Sequence, residues 1–199
     1  MMSVAVLALQ GDFEAHGRAL SRAGVPWHEA RTAGEVLRAD ALVIPGGEST
    51  TFRKLMEKTG VEEAIRELFS RGDPLFGTCA GAILLSRRIL HPPAVGLGLL
   101  DATIERNAYG RQLDSTVVTL SDLSRAALGA EPLEAVFIRA PRFRAVGSRV
   151  EVLARRDGDP VLIRQENLLA ATFHPELSDD RRVLDLFLSL RVAAERGAR

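Results

Sequence analysis

The sequence predicts an α/β fold of three layers, α/β/α, with a mostly parallel central sheet and a nucleophile elbow. Three observations lead to this class. Short apolar segments alternate with amphipathic ones through the first half, several are apolar throughout, and one runs into Gly77-Thr78-Cys79-Ala80-Gly81. Strands that are apolar on both faces are typical of a parallel sheet covered by helices on both sides. Right-handed crossovers then make a doubly wound sheet the expected topology.

The first half of the chain predicts strands that alternate with helices. The expected strands cover 4–9, 26–29, 41–44 and 74–77. Helical spacing of apolar residues covers 13–23 and 61–70, and a helix-like segment covers 82–86.

The second half predicts a run of strands with short polar connections. These strands cover 116–120, 135–138, 150–155, 160–164 and 168–172. Asp157-Gly158-Asp159 predicts a hairpin turn between two of them. Apolar spacing over 179–194 predicts a closing helix, and His91-Pro92-Pro93 marks a surface loop. Because no repeat or linker interrupts the pattern, we expect a single domain over 1–199.

Composition excludes several classes of function. The 199 residues carry 26 basic and 26 acidic side chains, so the formal charge of zero gives no basis for nucleic-acid binding. A single cysteine excludes a disulfide framework or a multi-cysteine zinc site, and no two histidines have ligand spacing, so no metal is expected. The N-terminus lacks the basic start of a signal peptide, and no apolar run approaches the ~18 residues of a membrane span. We therefore expect a cytoplasmic protein that does not associate with a membrane.

The pentapeptide around Cys79 has the form of a nucleophile elbow, with cysteine where the hydrolase version has serine. Glycines two residues before and after the cysteine let the strand and the helix pass closely. The turn presents the thiol at the carboxyl end of the sheet, where open parallel sheets bind ligands. The helix N-terminus favours the thiolate, and the N–H of Ala80 is placed to stabilise an oxyanion. The alternative is that Cys79 is a small buried hydrophobic residue, as most single cysteines are.

A thiolate nucleophile needs a base that can later protonate the leaving group, and histidine suits this near neutral pH. His174 is the preferred candidate because it ends an apolar segment, 168–173, and is followed by Pro175-Glu176. Glu176 is near enough in sequence to orient the imidazole as the third member of a triad, or else to cap a helix that starts near Ser178. For the other three histidines, a surface or packing role is expected: His16, His28 and His91.

Residues 45–51 read Pro-Gly-Gly-Glu-Ser-Thr-Thr and follow the third expected strand, so they lie at the same carboxyl edge. Paired glycines permit unusual backbone angles and expose N–H groups, which suits a second oxyanion donor. The segment lacks the lysine of a phosphate-binding loop, which disfavours nucleotide binding. Ser49 or Thr50 is also a candidate N-cap for a following helix.

Together these motifs resemble the class I (triad) glutamine amidotransferases and, more narrowly, the glutaminase subunits of pyridoxal 5'-phosphate synthase in the ribose-5-phosphate-dependent vitamin B6 pathway. The elbow and Phe173-His174-Pro175-Glu176 are shared by triad amidotransferases in general. Residues 45–51 and 106–112 (Arg-Asn-Ala-Tyr-Gly-Arg-Gln) are far more specific to the vitamin B6 subfamily. Further matching segments, spread in order over nearly the whole chain, are 7–11 with Glu14 and His16, 98–101 and 137–141.

The resemblance implies hydrolysis of L-glutamine to L-glutamate and ammonia. Cys79 would attack the side-chain amide and form a γ-glutamyl thioester. His174, oriented by Glu176, would take the thiol proton and pass one to the departing ammonia. Backbone N–H groups of Gly47 and Ala80 would form the oxyanion hole. The positions that match the family's glutamine-binding residues are Gly47, Glu48, Ser49, Arg106, Ile138 and Arg139.

The resemblance also implies a partner, a (β/α)8-barrel synthase subunit that receives the ammonia and builds pyridoxal 5'-phosphate, so this chain should need no cofactor of its own. In the family the free glutaminase is nearly silent, and docking completes the oxyanion hole. We expect the Gly46-Gly47 peptide to be the switch, because glycines change φ and ψ at little steric cost. The first-half loops and the region 10–16 border the carboxyl edge and are the expected docking face.

Two other functions compete with this interpretation. A cysteine hydrolase or deglycase of the DJ-1-like type shares an elbow on a similar sheet, but some of those proteins place histidine directly after the cysteine, where this chain has Ala80. That function also leaves residues 106–112 without a role. A non-catalytic scaffold with the amidotransferase fold should have lost a triad member, whereas Cys79, His174 and Glu176 are all present.

Overall fold

The computed structural model describes residues 2–108 and 115–197, with side chains as far as residue 190. The strands are β1 (Val4–Leu7), β2 (Trp27–Ala30), β3 (Ala41–Ile44), β4 (Leu75–Thr78), β5 (Ser86–Leu90), β6 (Ala94–Val95), β7 (Leu100–Glu105), β8 (Ser115–Leu120), β9 (Asp122–Leu123), β10 (Leu133–Ile138), β11 (Arg142–Val146), β12 (Glu151–Arg156), β13 (Asp159–Gln165) and β14 (Leu168–Ala171). The helices are α1 (Phe13–Arg22), α2 (Ala33–Leu37), α3 (Ser49–Met56), α4 (Val61–Ser70), α5 (Ala80–Leu85), α6 (Arg125–Leu128) and α7 (Arg182–Gly197).

An eight-stranded sheet in the order β2-β1-β3-β4-β14-β13-β12-β9 forms the centre of the molecule. The strands β2, β1, β3, β4 and β14 are mutually parallel, so their carboxyl ends share one edge. The remaining strands continue the sheet in antiparallel fashion. The mostly parallel sheet of the sequence prediction is therefore confirmed.

Helices cover both faces of this sheet. Along β1, Ala5 and Leu7 face a core that they share with α2, α3, α4 and α5. Val4 and Val6 face the opposite core, which contains Leu20 of α1 and Phe187 of α7, as well as other residues of those helices. Because successive strand residues point to opposite faces, this division confirms the three-layer α/β/α architecture.

Two smaller sheets extend the domain. One has the order β11-β7-β5-β6, and its inward residues Leu100, Ala102, Ile104 and Phe143 join the core that lies over α2 to α5. The other pairs β8 with β10. The four-stranded sheet matters for function because β7 leads directly to Arg106.

The expected bounds of β3 and of α4 agree with the structure, and most other expected elements differ by one to three residues. Two expectations about helices need correction. The closing helix begins at Arg182 instead of 179, because residues 175–177 form a separate 3-10 turn. The helix after the elbow begins at Ala80 and ends at Leu85, where β5 begins. Among the described residues, no helix combines the length and the apolar character that crossing a bilayer requires.

Candidate active site

Cys79 stands at a sharp turn between β4 and α5, where the sequence places it. Two glycines make this turn possible. A Cβ on Gly77 would lie 2.7 Å from the carbonyl carbon of Gly81, and a Cβ on Gly81 would lie 2.1 Å from the carbonyl oxygen of Ile44. Cys79 itself has φ 47° and ψ −100°, outside the regions that residues other than glycine prefer. Backbone strain of this kind is concentrated at functional sites, which supports the elbow interpretation over that of a simple packing residue.

The pairing of β14 with β4 brings His174 to the cysteine. The N–H of Cys79 donates to the carbonyl of Ala171 over 2.8 Å, and the N–H of His174 donates to the carbonyl of Val136 over 2.8 Å. The imidazole then lies against the elbow. A Cβ added to Gly46 would stand 2.4 Å from His174 Cε1 and 3.4 Å from Cys79 Cβ. Nucleophile, base and glycine loop therefore meet at one point.

Glu176 orients this imidazole. Its Oε1 lies 2.7 Å from His174 Nδ1, which leaves Nε2 as the nitrogen available to the thiol. Glu176 is buried in the 3-10 turn Pro175–Leu177, and α7 starts only at Arg182. The alternative that Glu176 caps a helix near Ser178 is therefore wrong.

The charges of this group favour a proton on the histidine. Burial by itself would lower the pKa of His174, but polar contacts with Cys79 and Glu176 outweigh it and raise the pKa to about 10. Burial by itself would raise the pKa of Glu176, but the facing imidazoles of His16 and His174 lower it. An imidazolium beside an ionised carboxylate holds a proton close to the sulfur, where it can later be passed to a leaving group.

The Pro-Gly-Gly loop closes over this pair from β3. Gly47 has φ 150°, and a Cβ there would lie 2.6 Å from the side-chain amide atoms of Gln10. That amide binds the backbone of the next residue twice, since Gln10 Oε1 accepts from the N–H of Glu48 and Gln10 Nε2 donates to the carbonyl of Glu48, each over 3.2 Å. The loop conformation thus depends on glycine and on a residue from the first βα connection.

Glu48, rather than Ser49 or Thr50, is the N-cap of α3. Its carboxylate accepts from the N–H of Thr50 over 3.2 Å and from the N–H of Thr51 over 2.8 Å, and also from both hydroxyls. These bonds, led by that of the Thr50 hydroxyl, lower the pKa of Glu48 to about 2. The expectation of a serine or threonine cap is wrong because the longer glutamate reaches the same donors and takes four bonds at once.

Arg106 reaches the same loop from the end of β7. Its Nη2 donates to Glu48 Oε1 over 3.0 Å, and its side chain is mostly buried. From the opposite side, the carbonyl oxygen of Ile138 lies 4.0 Å from Cys79 Sγ, and Arg139 follows with φ 42°. Arg106 therefore lies on the cleft wall, where the family resemblance expects it.

These groups line one cleft of about 280 Å³, which is near the small end of the range for ligand sites. Most of the predicted site residues are on its wall: Gly47, Glu48, Ser49, Cys79, Arg106, Ile138, Arg139 and His174. Ala80 and Glu176 lie behind them, at the start of α5 and beneath the imidazole. Of the motif at 106–112, residues 109–112 lie outside the described residues.

Gly46, expected in the switch peptide, is also on the wall, and four further wall residues were given no role in the site from the sequence: Asp12, Ile83, Asn107 and Leu177. Gln10 and Asp12 fall in or beside the matching segment at 7–11, so their signal was present but carried no assigned role. His16 was expected to be a surface or packing residue; it is packed in the interior, 4% exposed, and in addition lies 3.4 Å from Glu176 Oε1. It cannot belong to the docking face expected for 10–16, because it is buried against the triad.

The chemistry open to this arrangement is attack by a thiolate on an acyl carbon that carries a leaving group, followed by protonation of that group by an imidazolium. Within the described residues, no group of three or more His, Cys, Asp or Glu side chains is arranged to hold a metal ion. Glu48 and Arg106 offer an anion and a cation at the mouth of the cleft, which suits a zwitterionic ligand.

Comparison with known proteins gives matches over nearly the whole chain. The model of the SNO glutamine amidotransferase family matches residues 6–193. Two relatives named "Pyridoxal 5'-phosphate synthase subunit PdxT" are similar. The protein from Koribacter versatilis is 50% identical over 189 residues (95% of each chain), and one from Thermus thermophilus is 51% identical over 189 residues (94% of this chain, 96% of the relative).

Solved structures agree with this similarity. A structure titled as a glutamine amidotransferase superposes with a TM-score of 0.87 at 46% identity, covering 95% of this chain and 98% of the other. A putative GMP synthase subunit from Thermoplasma acidophilum superposes with a TM-score of 0.72 at 14% identity, over 100% and 98% of the two chains, and shares the fold.

Proposed function

The chain belongs to the SNO glutamine amidotransferase family, and on that premise we propose that it is the glutaminase subunit of a pyridoxal 5'-phosphate synthase, acting as a single domain over residues 1–199. It hydrolyses L-glutamine to L-glutamate and ammonia, and the ammonia serves vitamin B6 synthesis. The observation that carries this proposal is the meeting of Cys79, His174 and Glu176 in a cleft whose wall also holds Glu48 and Arg106.

The reaction proceeds in two steps, formation of a thioester and hydrolysis of that thioester. The Cys79 thiolate attacks the δ-carbon of glutamine, and the N–H groups of Gly47 and Ala80 bind the developing oxyanion. The carbon–nitrogen bond then breaks as His174 gives its proton to the leaving ammonia, which leaves a γ-glutamyl thioester. Water attacks the thioester while His174 takes a proton from it. Glutamate leaves, and the thiolate–imidazolium pair is restored.

Recognition of glutamine uses both charges of the cleft mouth. Arg106 presents a forked donor to the α-carboxylate, and Glu48 accepts from the α-ammonium group. In the structure these two side chains bind one another over 3.0 Å, so the substrate replaces an existing ion pair. Gly47, Ser49, Ile138 and Arg139 complete the glutamine site.

Ammonia released into water becomes ammonium, a poor nucleophile, so its use requires a docked partner. We propose that the partner is a (β/α)8-barrel synthase subunit in the cytoplasm, and that neither a cofactor of its own, nor nucleic acid, nor a membrane is needed by this chain. The exposed part of the 10–16 region and the neighbouring loops form the docking face, since they border the cleft. Docking acts on the Gly46-Gly47 peptide, which is followed by Glu48, the residue whose N–H and carbonyl bind the side-chain amide of Gln10.

Two alternative functions are less well supported. A DJ-1-like hydrolase or deglycase gives no role to the ion pair between Glu48 and Arg106, and the family match is to glutamine amidotransferases. A non-catalytic scaffold does not require the bond between Glu176 and His174, which the structure retains.

The test is glutamate release from L-glutamine by the chain alone and mixed with the synthase subunit of the same organism. We expect release to appear or rise strongly only in the mixture. Cys79→Ala should abolish it while the mixture still makes pyridoxal 5'-phosphate from added ammonium salt, and His174→Asn should also silence glutamine turnover. Glutaminase activity that persists in Cys79→Ala would refute the nucleophile. No release by a folded, demonstrably bound chain would favour the scaffold.

A further inference from the structure

Behind the triad lies a buried histidine that the reaction above does not use. His16, in α1, has its Nε2 3.1 Å from Thr78 Oγ1 and 3.4 Å from Glu176 Oε1. Its ring also meets the ring of Phe76 edge to face, with 6.3 Å between the ring centres. Burying an imidazole costs free energy unless its polar atoms have partners, so both polar contacts mark a position built to hold it.

The surroundings identify the form of this imidazole. An ionised Glu176 carboxylate only accepts hydrogen bonds, so a lone pair on His16 Nε2 would face a carboxylate oxygen at 3.4 Å. A proton on Nε2 removes this repulsion and points between Thr78 Oγ1 and Glu176 Oε1. Burial lowers the pKa of His16, with a further contribution from His174, and outweighs the opposite effects of Glu176 and Asp12. A lowered pKa favours the neutral form of the ring, in which Nε2 carries the proton as a donor.

The polar contacts that Glu176 makes with other side chains of the described part of the chain are all on one carboxylate oxygen. Its Oε1 faces both imidazoles, at 2.7 Å from His174 Nδ1 and 3.4 Å from His16 Nε2. Its Oε2 is buried and has no hydrogen-bond partner among the other described residues. The polar contacts with other described residues that oppose rotation of the carboxylate are therefore made through Oε1, and His16 is the contact on that oxygen that the reaction does not disturb.

We propose that neutral His16 is a positioning residue of the triad, which fixes Oε1 of Glu176 towards His174 and leaves the whole carboxylate charge to the His174 imidazolium. The proposal rests on the proposed function in one respect, namely that His174 is the base for Cys79. A cation at position 16 would compete for the Glu176 charge, whereas an apolar side chain would release the carboxylate.

Two variants of similar size separate positioning from packing. His16→Leu removes the donor, and His16→Gln keeps a neutral N–H donor near the place of Nε2. His28→Leu is the matched control, because His28 is a partly buried histidine that bonds the carbonyl of Glu35, away from the triad. For each, the pH profile of Cys79 alkylation by iodoacetamide is measured in the free chain, and kcat and KM for glutamine are measured with the synthase subunit.

We expect His16→Leu to lower kcat about tenfold or more with little change in KM, because it removes the polar contact at 3.4 Å that positions the Glu176 carboxylate. The pH profile of its Cys79 alkylation should shift relative to that of the unaltered chain. His16→Gln should restore most of the kcat and of the pH profile, and His28→Leu should match the unaltered chain. A native kcat and native profile in His16→Leu would overturn the proposal. Equal losses in the Leu and Gln variants with an unmoved profile would also overturn it, because they would show packing alone.

Should His16→Leu fail to fold, Thr78→Val tests the same point. It removes the hydroxyl that contacts His16 Nε2 but keeps histidine at position 16. A native alkylation profile in that variant would count against positioning, and a moved profile would support it. The Cys79→Ala result keeps the two proposals apart: residual glutaminase there refutes the proposed function, whereas a silent Cys79→Ala beside an unaffected His16→Leu refutes only the role of His16.

Discussion

Gly46→Ala tests how closely the base is held against the nucleophile. The added methyl carbon would lie 2.4 Å from His174 Cε1, 3.1 Å from its Nδ1 and 3.4 Å from Cys79 Cβ. The imidazole ring must therefore retreat by about 1 Å to reach ordinary contact, and a misplacement of that size costs about a hundredfold in rate. Gly46 has no positive φ, so the backbone accepts alanine without strain and the effect is one of position.

The assay combines glutamate release in the mixture with the synthase and iodoacetamide alkylation of Cys79 in the free chain. We expect both rates to fall about a hundredfold, with a stability loss of about 1–3 kcal/mol from the crowding. Gly34→Ala is the control, because a Cβ there meets nothing within 4 Å and α2 gains a better helix former. If Gly46→Ala kept its alkylation rate and its glutaminase activity, the placement of His174 against this loop would be refuted.

The remaining predictions concern charge and stability. Hydrogen bonds, led by that of the Thr50 side chain, hold the pKa of Glu48 at about 2. The contribution of this carboxylate to folding stability is therefore complete above its ordinary pKa of 4.5 and is lost as the pH falls towards about 2. The free energy of unfolding of Glu48→Gln should accordingly lie below that of the unaltered chain near neutral pH, by less than about 1 kcal/mol because the side chain is half exposed, and the two should converge in acid, as denaturant unfolding at both pH values would show. Arg182→Leu should lose about 1–3 kcal/mol in denaturant unfolding, because its guanidinium donates to the carbonyls of residues 128, 131 and 132, while Cys79 alkylation stays native. Arg106→Lys should raise KM for glutamine about tenfold with kcat nearly kept, since a single ammonium replaces a forked donor; an unchanged KM would remove Arg106 from the glutamine site.

The elements that local chemistry determines were predictable from the sequence. The elbow is determined by five consecutive positions, with a glycine two residues before and two residues after Cys79. Short apolar patterns likewise predict β3 and α4. His174 and Glu176 are two residues apart, so their contact needed no knowledge of the fold.

The elements that were missed are those whose partners are distant or whose pattern is diluted. The four-stranded sheet escaped because β5 carries the exposed arginines 87 and 88 between its buried positions. The helix α2 has five residues, one of them buried, and is held by a capping box between Thr32 and Glu35 more than by an apolar face.

Tertiary contacts explain the errors at the site itself. His16 shows the spacing of an ordinary buried helix residue, and its contact with Glu176 spans most of the chain. The bond between Arg106 and Glu48 likewise joins residues 58 apart, from two different sheets. No pattern within a single segment contains such information.

The pairing of β4 with β14 has a consequence for synthesis on the ribosome. Cys79 leaves the exit tunnel about ninety-five residues before His174, and the strand that delivers the histidine follows both smaller sheets along the chain. A nascent chain that ends before β14 carries the cysteine but neither its base nor the carbonyl of Ala171 that binds its N–H. The geometry of the triad therefore forms only in the same event that completes the central sheet.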